Sequence, residues 1–203
     1  MAKEKNPQYG KKVATGECFA SFPHLSEPDT GKQYSDDKYK VDAIFTDKDQ
    51  MASLVAECKT LAKTNFGTTD GIKWPWKNGD EGSVSKFQGY PGRYFITPKT
   101  KDSIPVVGPN PKVGMDPAKV YGGAIIKVNV TPKAYEMQKE GVEIQPDGTR
   151  KNVKFVEKGI TLYLNGVQFL RDSERFGAED GGGEGMFANE SGVEEDESDP
   201  LNF

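Results

Sequence analysis

Short segments in which apolar and polar residues alternate most constrain the fold of this chain. In KYKVDAIF, the side chains of Tyr39, Val41, Ala43 and Phe45 fall on one face and mostly polar residues on the other. A period of two is the repeat of a half-buried β-strand. Four more segments are strand candidates: KKVATGECFASFPHL, which we expect Pro23 to end, GRYFITP, SIPVVG and AIIKVNVTP. After a long excursion outside regular structure, the last strands are predicted in NVKFVEKGITLYLNGVQFLRD, with Ile160, Leu162 and Leu164 facing the core.

One segment has helical spacing instead. Between positions 48 and 65 the apolar residues repeat so that they form a single stripe on a helix: Met51, Leu54, Val55, Cys58, Leu61 and Ala62. Thr46 or Asp47 suits the N-terminal cap, and Gly67 suits the end of the helix. Five or so strands with one helix after the second or third do not suit a doubly wound fold. This order favours a mainly β chain built as a small Greek-key barrel.

The charges divide the chain into a cationic body and an anionic tail. Residues 177–203 hold nine acidic side chains and no lysine or arginine, so residues 1–176 retain 27 basic and 22 acidic side chains, a net charge of +5. The tail is also of low complexity, which predicts disorder. We therefore predict a folded domain over 1–176 and a disordered acidic tail over 177–203. A cationic body indicates a polyanionic ligand.

Motifs for catalysis and for cofactors are absent from the sequence. His24 is the single histidine, and Cys18 and Cys58 lie far apart in apolar patterns. We expect two buried, reduced thiols rather than a disulfide or a zinc site. No glycine-rich phosphate loop follows a predicted strand. The chain is therefore predicted to be no enzyme and to bind no cofactor or metal, with one alternative: a metal-dependent nuclease that uses the carboxylates of DKDQ and SDDK.

The sequence also bears on localisation. No apolar run reaches the length that spans a bilayer, and the charged N-terminus MAKEKNPQYGKK has no apolar segment behind it. We therefore expect no signal peptide and no membrane contact. The prediction is a cytoplasmic protein.

Aromatic and basic residues are interleaved in several segments of the body: KYK, KWPWK, KFQGYPGRYF and KNVKF. Single-stranded nucleic acid is bound by cations that follow its phosphates and by flat side chains on which unpaired bases stack. Trp74 and Trp76 flank Pro75, which we expect to prevent regular strand or helix pairing. The flanking lysines predict a loop that faces solvent. Two roles remain open for this loop: stacking on bases, or a clamp that packs over the end of the barrel.

Across most of its body the chain resembles the OB-fold single-stranded DNA-binding proteins of tailed bacteriophages. The resemblance rests on an ordered set of segments: ATGECFASFPHL, KYKVDAIFTDKDQ, LVAECK, GRYFITPKT, DPAKVYGGAIIKVNVTPKAY and GITLYLNGVQFLRDSERFG. It implies an OB fold, a five-stranded Greek-key barrel, with one packed α-helix, loop insertions and a disordered acidic C-terminal tail. It also implies a DNA groove lined by basic and aromatic residues, among them Lys40, Arg93, Tyr94 and Lys127.

The implied function is to coat and protect single-stranded DNA in phage replication, recombination and repair, in the host cytoplasm, and a homodimer is considered as the assembly state. An RNA-binding or purely protein-binding OB module remains an alternative. The interleaved segments and the resemblance together nominate ten DNA-binding residues: Lys40, Trp74, Trp76, Lys77, Lys86, Tyr90, Arg93, Tyr94, Lys99 and Lys127.

The chain ends in EEDESDPLNF, an acidic run closed by an aromatic residue. By resemblance, this tip recruits a replication or recombination protein such as a polymerase, helicase-primase or nuclease. The partner-binding residues would be Glu194, Glu195, Asp196, Glu197, Asp199, Leu201 and Phe203. A plain solubilising tail is the alternative. A flexible tail of this length spans about 29 Å, more than the expected ~16 Å radius of gyration of the body, so we also predict that it folds back and competes with DNA.

Overall fold

A computed structural model describes residues 8–30, 35–144 and 149–177. These parts of the chain form one α-helix and nine strands: β1 (Val13–Ala14), β2 (Cys18–His24), β3 (Tyr39–Phe45), α1 (Ala52–Phe66), β4 (Trp76–Asn78), β5 (Tyr94–Ile96), β6 (Lys99–Thr100), β7 (Val106–Val107), β8 (Ile125–Ile144) and β9 (Arg150–Arg171). The prediction of a mainly β chain with one helix is confirmed. The predicted disordered tail lies outside the described residues.

Strand pairing closes the sheet into a five-stranded barrel. β2 pairs antiparallel with β3 and with β8, and β8 pairs antiparallel with β9. β5 and β6 both pair with β3, whereas β7 runs parallel to β9, with Val106 opposite Val167. β5, β6 and β7 are therefore pieces of one interrupted barrel strand that joins β3 to β9. This closure is the predicted OB barrel, in which the third strand meets the fifth.

The barrel core comes from the predicted alternation. Val41 and Ala43 of β3 are fully buried, as are Ile126, Val128 and Val130 of β8. Ile160, Leu162 and Leu164 of β9 complete this side of the core, as predicted. The β8–β9 register shifts between Asn129 and Val130, where β9 carries one extra residue, so that Leu164 and Val167 both face the core although they are three positions apart.

The helix starts and stops where its capping residues predict. A short 3₁₀ turn at Lys48–Met51 leads into α1, and Asp47 caps it in a capping box with Gln50. Gly67 ends the helix with φ 72°, a left-handed conformation that costs glycine little. The apolar stripe is buried against β1, β8 and β9. No helix in the described ranges is long and apolar enough to cross a membrane.

Both cysteines are buried and form no disulfide, as predicted. Cys18 lies on the inner side of β2, where its thiol donates to the carbonyl of Ile126 at 3.4 Å. Burial raises the pKa of Cys18 and that of Cys58 to about 12. Neither thiol is therefore ionised near neutral pH, and both act as small core residues.

Three local predictions are wrong. Pro23 does not end the first strand, because β2 continues to His24 through a register shift between Ser21 and His24. Pro75 does not prevent strand pairing, since β4 begins at the next residue and pairs with β5. The long excursion expected before the last strands is instead mostly ladder: β8 and β9 extend it as a two-stranded ribbon to Ile144 and Arg150.

Candidate nucleic-acid interface

The outward side of the barrel strands presents a surface that we call the front face. Because side chains alternate along a strand, this face carries the residues opposite the core. The strand registers align Lys77, Phe95, Ile44 and Phe19 in one row, from β4 across to β2. A second row aligns Lys99, Lys40 and His24. In OB folds the outward face of the second and third strands is the surface that binds oligonucleotides.

A segment around residues 82–93, which we call the covering segment, packs over one end of the front face and is anchored there by Tyr90. Tyr90 is fully buried in a small apolar cluster with Ile44 and Phe95, against which Phe19 and Phe176 also pack. The Tyr90 hydroxyl donates to Asp42 at 2.6 Å. Burial and the Asp42 carboxylate raise the pKa of Tyr90 well above its usual range. Tyr90 was nominated as a stacking residue, but in this structure its ring is enclosed and holds the covering segment in place.

Two aromatic rings remain open to solvent at the end of this cluster. Phe22 is 50% exposed, Phe87 is 39% exposed, and their ring centroids lie 5.3 Å apart with an edge-on orientation. Phe22 has φ 42°, which is unfavourable for a residue with a Cβ. Backbone strain that exposes an apolar ring is typical of functional sites. Sequence reasoning nominated neither of them; Phe22 lies before Pro23, and a proline inside a strand is typical of a bulge, which was the available signal.

Three cations lie over aromatic rings of the front face and the covering segment. The Lys86 ammonium lies 5.7 Å from the centroid of the Phe87 ring, and the Arg93 guanidinium lies 5.2 Å from that of Phe19. Arg93 is held there by donation to the carbonyl of Gly89 at 3.0 Å. Lys77 sits 5.6 Å from the ring of Phe95. Within the described ranges none of these three cations forms a salt bridge, so their charges can meet phosphates.

Lys40 and Lys99 occupy the same face but are paired. Lys40 lies 2.6 Å from Asp29 and 3.3 Å from Asp36, and Lys99 lies 2.7 Å from Asp36. Although partial burial opposes it, the pKa of Asp36 is lowered by Lys99 and Lys40. These contacts tie the loop before β3 to the front face. The two nominated lysines therefore contribute less net charge here than Lys77, Lys86 and Arg93.

A groove, which we call the seam groove, continues the front face toward the ribbon. It has a volume of about 470 Å³ and lies between the third and fifth barrel strands. Its lining includes Lys73, Trp74, Lys77, Lys99, Tyr135 and Thr161. Lysines, a tryptophan and a tyrosine therefore converge on one channel, which suits a negatively charged, aromatic polymer.

The two tryptophans of KWPWK stack on each other. Their ring centroids are 4.9 Å apart with an interplanar angle of 8°, and both pack partly against the barrel core. Trp76 and Tyr94 face α1, where they line an apolar groove with Val55. The pleat therefore places them on the side of β4 and β5 opposite Lys77. This packing favours the clamp role for Trp76, while Trp74 also lines the seam groove.

Lys127 lies apart from the other nominated residues. It is on the outward side of β8, opposite Gln168 of β9, and β2 separates it from β3. Its charged neighbours are Glu17 and Arg171, which form a 2.7 Å salt bridge. Lys127 does not join the front face, and the tail residues nominated for partner binding lie outside the described residues.

The described residues contain no cluster of three or more His, Cys, Asp or Glu side chains suited to a metal ion. In the two segments considered for a nuclease, the Asp47 side chain caps the start of the helix, and Asp36 pairs with Lys40 and Lys99.

Comparisons with known proteins show a match in sequence to one family and a similarity in fold to two solved structures. The sequence model of a family described as Enterobacter phage Enc34, ssDNA-binding protein, matches residues 11–199. The single-stranded DNA-binding protein from bacteriophage Enc34 in complex with ssDNA has a TM-score of 0.57 and 17% identity, covering 87% of this chain and 97% of that chain. Its C-terminal truncation gives a TM-score of 0.56 and 18% identity, covering 87% and 95%. No match was found among curated proteins.

Proposed function

This chain belongs to the family of the Enterobacter phage Enc34 ssDNA-binding protein, and from that premise we propose that it is a non-catalytic binder that coats single-stranded DNA. Its role lies in phage replication, recombination and repair in the host cytoplasm. The observation that carries this proposal is the front face, where the strained, exposed Phe22 lies against Phe87, with Lys86 over the Phe87 ring and Arg93 over the Phe19 ring. Residues 1–176 form the DNA-binding domain, and residues 177–203 form the tail.

The mechanism combines stacking with phosphate neutralisation. Unpaired bases stack on Phe22 and Phe87, since every base has a flat face, and binding is therefore tolerant of sequence. Lys77, Lys86 and Arg93 contact the phosphates that link those bases. A duplex cannot offer its bases in this way, so the protein binds the open form of a hairpin and shifts the equilibrium toward it.

The seam groove sets the path that the bound strand follows over the surface. A DNA strand that leaves Phe22 and Phe87 passes Lys77 on β4. It then enters the seam groove, which is lined by Lys73 and Trp74. Lys40 and Lys99 flank this path, but each must break an ion pair with a carboxylate before it can bind a phosphate, which costs free energy. We therefore expect smaller effects from these two lysines than from Lys77.

The decisive experiment is a salt titration of binding to labelled oligo-dT with front-face variants. We expect Phe87→Ala to weaken binding by about 1–3 kcal/mol, the range for loss of one stacking ring. Lys86→Ala should reduce the slope of log affinity against log salt by about 0.7. Lys154→Ala, an exposed lysine on the ribbon paired with Glu140, is the matched control and should leave both values unchanged.

Three further outcomes would contradict the proposal. Wild-type protein that ignores oligo-dT in dilute buffer would remove the function altogether. Loss of labelled oligo-dT when magnesium is added would instead favour a nuclease. Competition by an RNA oligonucleotide of the same sequence at equal concentration would point to an RNA-binding module.

The tail supplies the second part of the proposal. Its acidic run steers it toward a basic patch on a replication or recombination protein, where Leu201 and Phe203 dock. The last described residue, Gly177, is held beside the covering segment by a hydrogen bond to Gln88 at 2.9 Å. The tail therefore starts next to the front face, which supports competition between tail and DNA.

A further inference from the structure

A second group of aromatic and basic side chains lies on the outward side of β8 and β9. Tyr9 is 51% exposed and Tyr163 is 37% exposed, with ring centroids 5.9 Å apart. The Lys133 ammonium lies between them, 5.0 Å from the Tyr9 ring and 5.7 Å from the Tyr163 ring. We call this group the tyrosine cluster. None of its members was nominated from the sequence.

The backbone holds the tyrosine cluster in a defined geometry. Tyr9 pairs with Lys133 in an isolated bridge on the edge of β8 that also pairs with β1. Tyr163 sits opposite Thr131 on the neighbouring strand, in the row next to Lys133. The pKa of Lys133 is raised, chiefly by its hydrogen bond with the Tyr9 hydroxyl, so this lysine stays charged at physiological pH. Two open rings and one fixed cation are thus preorganised on a rigid ladder.

The tyrosine cluster also continues the seam groove. Thr161 lines that groove, and Tyr163 is the next residue on the same side of β9. A second depression of about 420 Å³ begins there and is lined by Tyr9, Thr100, Tyr163 and Asn165. Thr100 directly follows Lys99, which lines the seam groove. The two depressions therefore lie side by side along β9.

The chemistry of this surface matches the ligand of the front face. Tyrosine rings stack on bases, and a lysine beside them neutralises the phosphate between two nucleotides. Asn165 donates to Asn129 and to Thr131, both at 2.9 Å, so amide and hydroxyl groups adjoin the rings. Asp102 lies on the rim and opposes an anion there, which makes the cluster an extension of a stronger site rather than an independent one.

We propose that Tyr9, Tyr163 and Lys133 form a second single-stranded DNA subsite, which holds the nucleotides that leave the front face through the seam groove. This inference rests on the proposed function, and it predicts that the protein contacts more nucleotides than the front face alone can hold. A short oligonucleotide fills only the front face. A longer one passes the seam groove and stacks on the two tyrosines.

The test compares wild type and variants on labelled oligo-dT of about 6 and about 25 nucleotides, one length within the usual range of OB site sizes and one beyond it. Tyr163→Ala should weaken binding of the long strand about tenfold, within the range for one lost stack, and leave the short strand unchanged. Tyr163→Phe keeps the ring and should bind both lengths like wild type. Lys133→Ala should lower the salt slope of the long strand by about 0.7 and leave that of the short strand unchanged.

Lys154→Ala removes one exposed lysine from the ribbon formed by β8 and β9, at a position paired with Glu140. This variant should bind both the short and the long oligonucleotide like wild type. A second readout is ultraviolet cross-linking of an oligonucleotide that carries 5-iododeoxyuridine, with Tyr9 or Tyr163 as the expected modified residue. If the Tyr163→Ala variant does not fold, the salt slope of Lys133→Ala and the identity of the cross-linked residue provide the test of the second subsite.

The outcomes separate this inference from the proposed function. If wild type binds both lengths and the variants bind the long strand as tightly as wild type does, the second subsite is wrong and the function stands. Equal losses on both lengths would also overturn the subsite, because they would place Tyr163 in the primary site. Failure of wild type to bind either length would overturn the proposed function itself.

Discussion

Phe22 shows how a single residue can combine strain and exposure. Its φ of 42° places the chain in a region that residues with a Cβ rarely adopt, at a cost of about 1–3 kcal/mol. The register shift between Ser21 and His24 and the edge-on contact with Phe87 hold it there. The surrounding sheet thus maintains a conformation whose main consequence is an aromatic ring in solvent.

Phe22→Gly separates binding from stability. Glycine adopts a positive φ without strain, which offsets the loss of a half-exposed ring, so the free energy of unfolding should change by less than about 1 kcal/mol. Oligo-dT affinity should fall by about 1–3 kcal/mol. Urea denaturation and anisotropy titrations measure the two quantities, and Phe22→Tyr is the control that keeps the ring. Unchanged affinity in the glycine variant would remove Phe22 from the interface.

Tyr90 has the opposite role, because its hydroxyl is committed to Asp42. Tyr90→Phe removes that donor and should lower the free energy of unfolding at neutral pH by about 1–3 kcal/mol. The folded-state pKa of Tyr90 is raised, so its contribution is full below the unfolded pKa of about 10 and is lost as pH rises above it. The stability difference between wild type and Tyr90→Phe should therefore narrow in alkaline buffer. A difference that widens there would contradict the assignment.

At the scale of elements, β4 divides KWPWK into two functions. Trp76 and Lys77 are neighbours in sequence but lie on opposite sides of the sheet, one against the core and α1 and the other over Phe95. This division follows from strand pairing, which Pro75 was expected to prevent. A lysine on one side can bind phosphate while the tryptophan on the other holds the edge strand.

Paired substitutions in β4 test this division. Trp76→Ala should destabilise the fold by about 2 kcal/mol or more, since it removes a large, partly buried ring. Lys77→Ala should leave the melting temperature unchanged and lower the salt slope of DNA binding by about 0.7. Differential scanning fluorimetry and salt-titrated anisotropy report on the two effects. A Trp76→Ala protein that is as stable as wild type but binds DNA weakly would favour base stacking over the clamp.

At the scale of the whole molecule, the separation of charge between body and tail governs binding. Residues 1–176 carry a net charge of +5, and the tail carries nine acidic residues with no basic ones. A tethered anion at high local concentration competes with a free one. This competition is electrostatic, so it weakens as the Debye length falls from about 30 Å at 0.01 M to about 10 Å at 0.1 M salt.

Deletion of residues 194–203 should therefore tighten DNA binding at low salt, and the gain should shrink as salt rises. The same deletion should abolish recruitment of the replication or recombination partner. The control replaces Leu201 and Phe203 by alanine: it keeps the charges, so DNA affinity should match wild type while recruitment is lost. Equal affinities of full-length and truncated protein at low salt would rule out competition by the tail.

Local patterns in the sequence determined much of this protein. The alternation in β3, β8 and β9 placed the core residues correctly, and the stripe, Asp47 and Gly67 marked the helix within a few residues. These features are local, because period and capping depend on residues within a few positions of one another. The resemblance between ordered segments identified the family, since it uses the whole order of the chain.

Only the tertiary structure decided which aromatic and basic residues meet. Phe22 and Phe87 are far apart in sequence and become neighbours through the covering segment, whereas Tyr90, three residues beyond Phe87, is enclosed. Lys40 and Lys99 share a row through strand register and share Asp36 as a partner. Register, ion pairing and burial arise from contacts between distant segments, and composition along the chain carries no information about them. The surface that a strand of DNA would meet is therefore a property of the closed barrel.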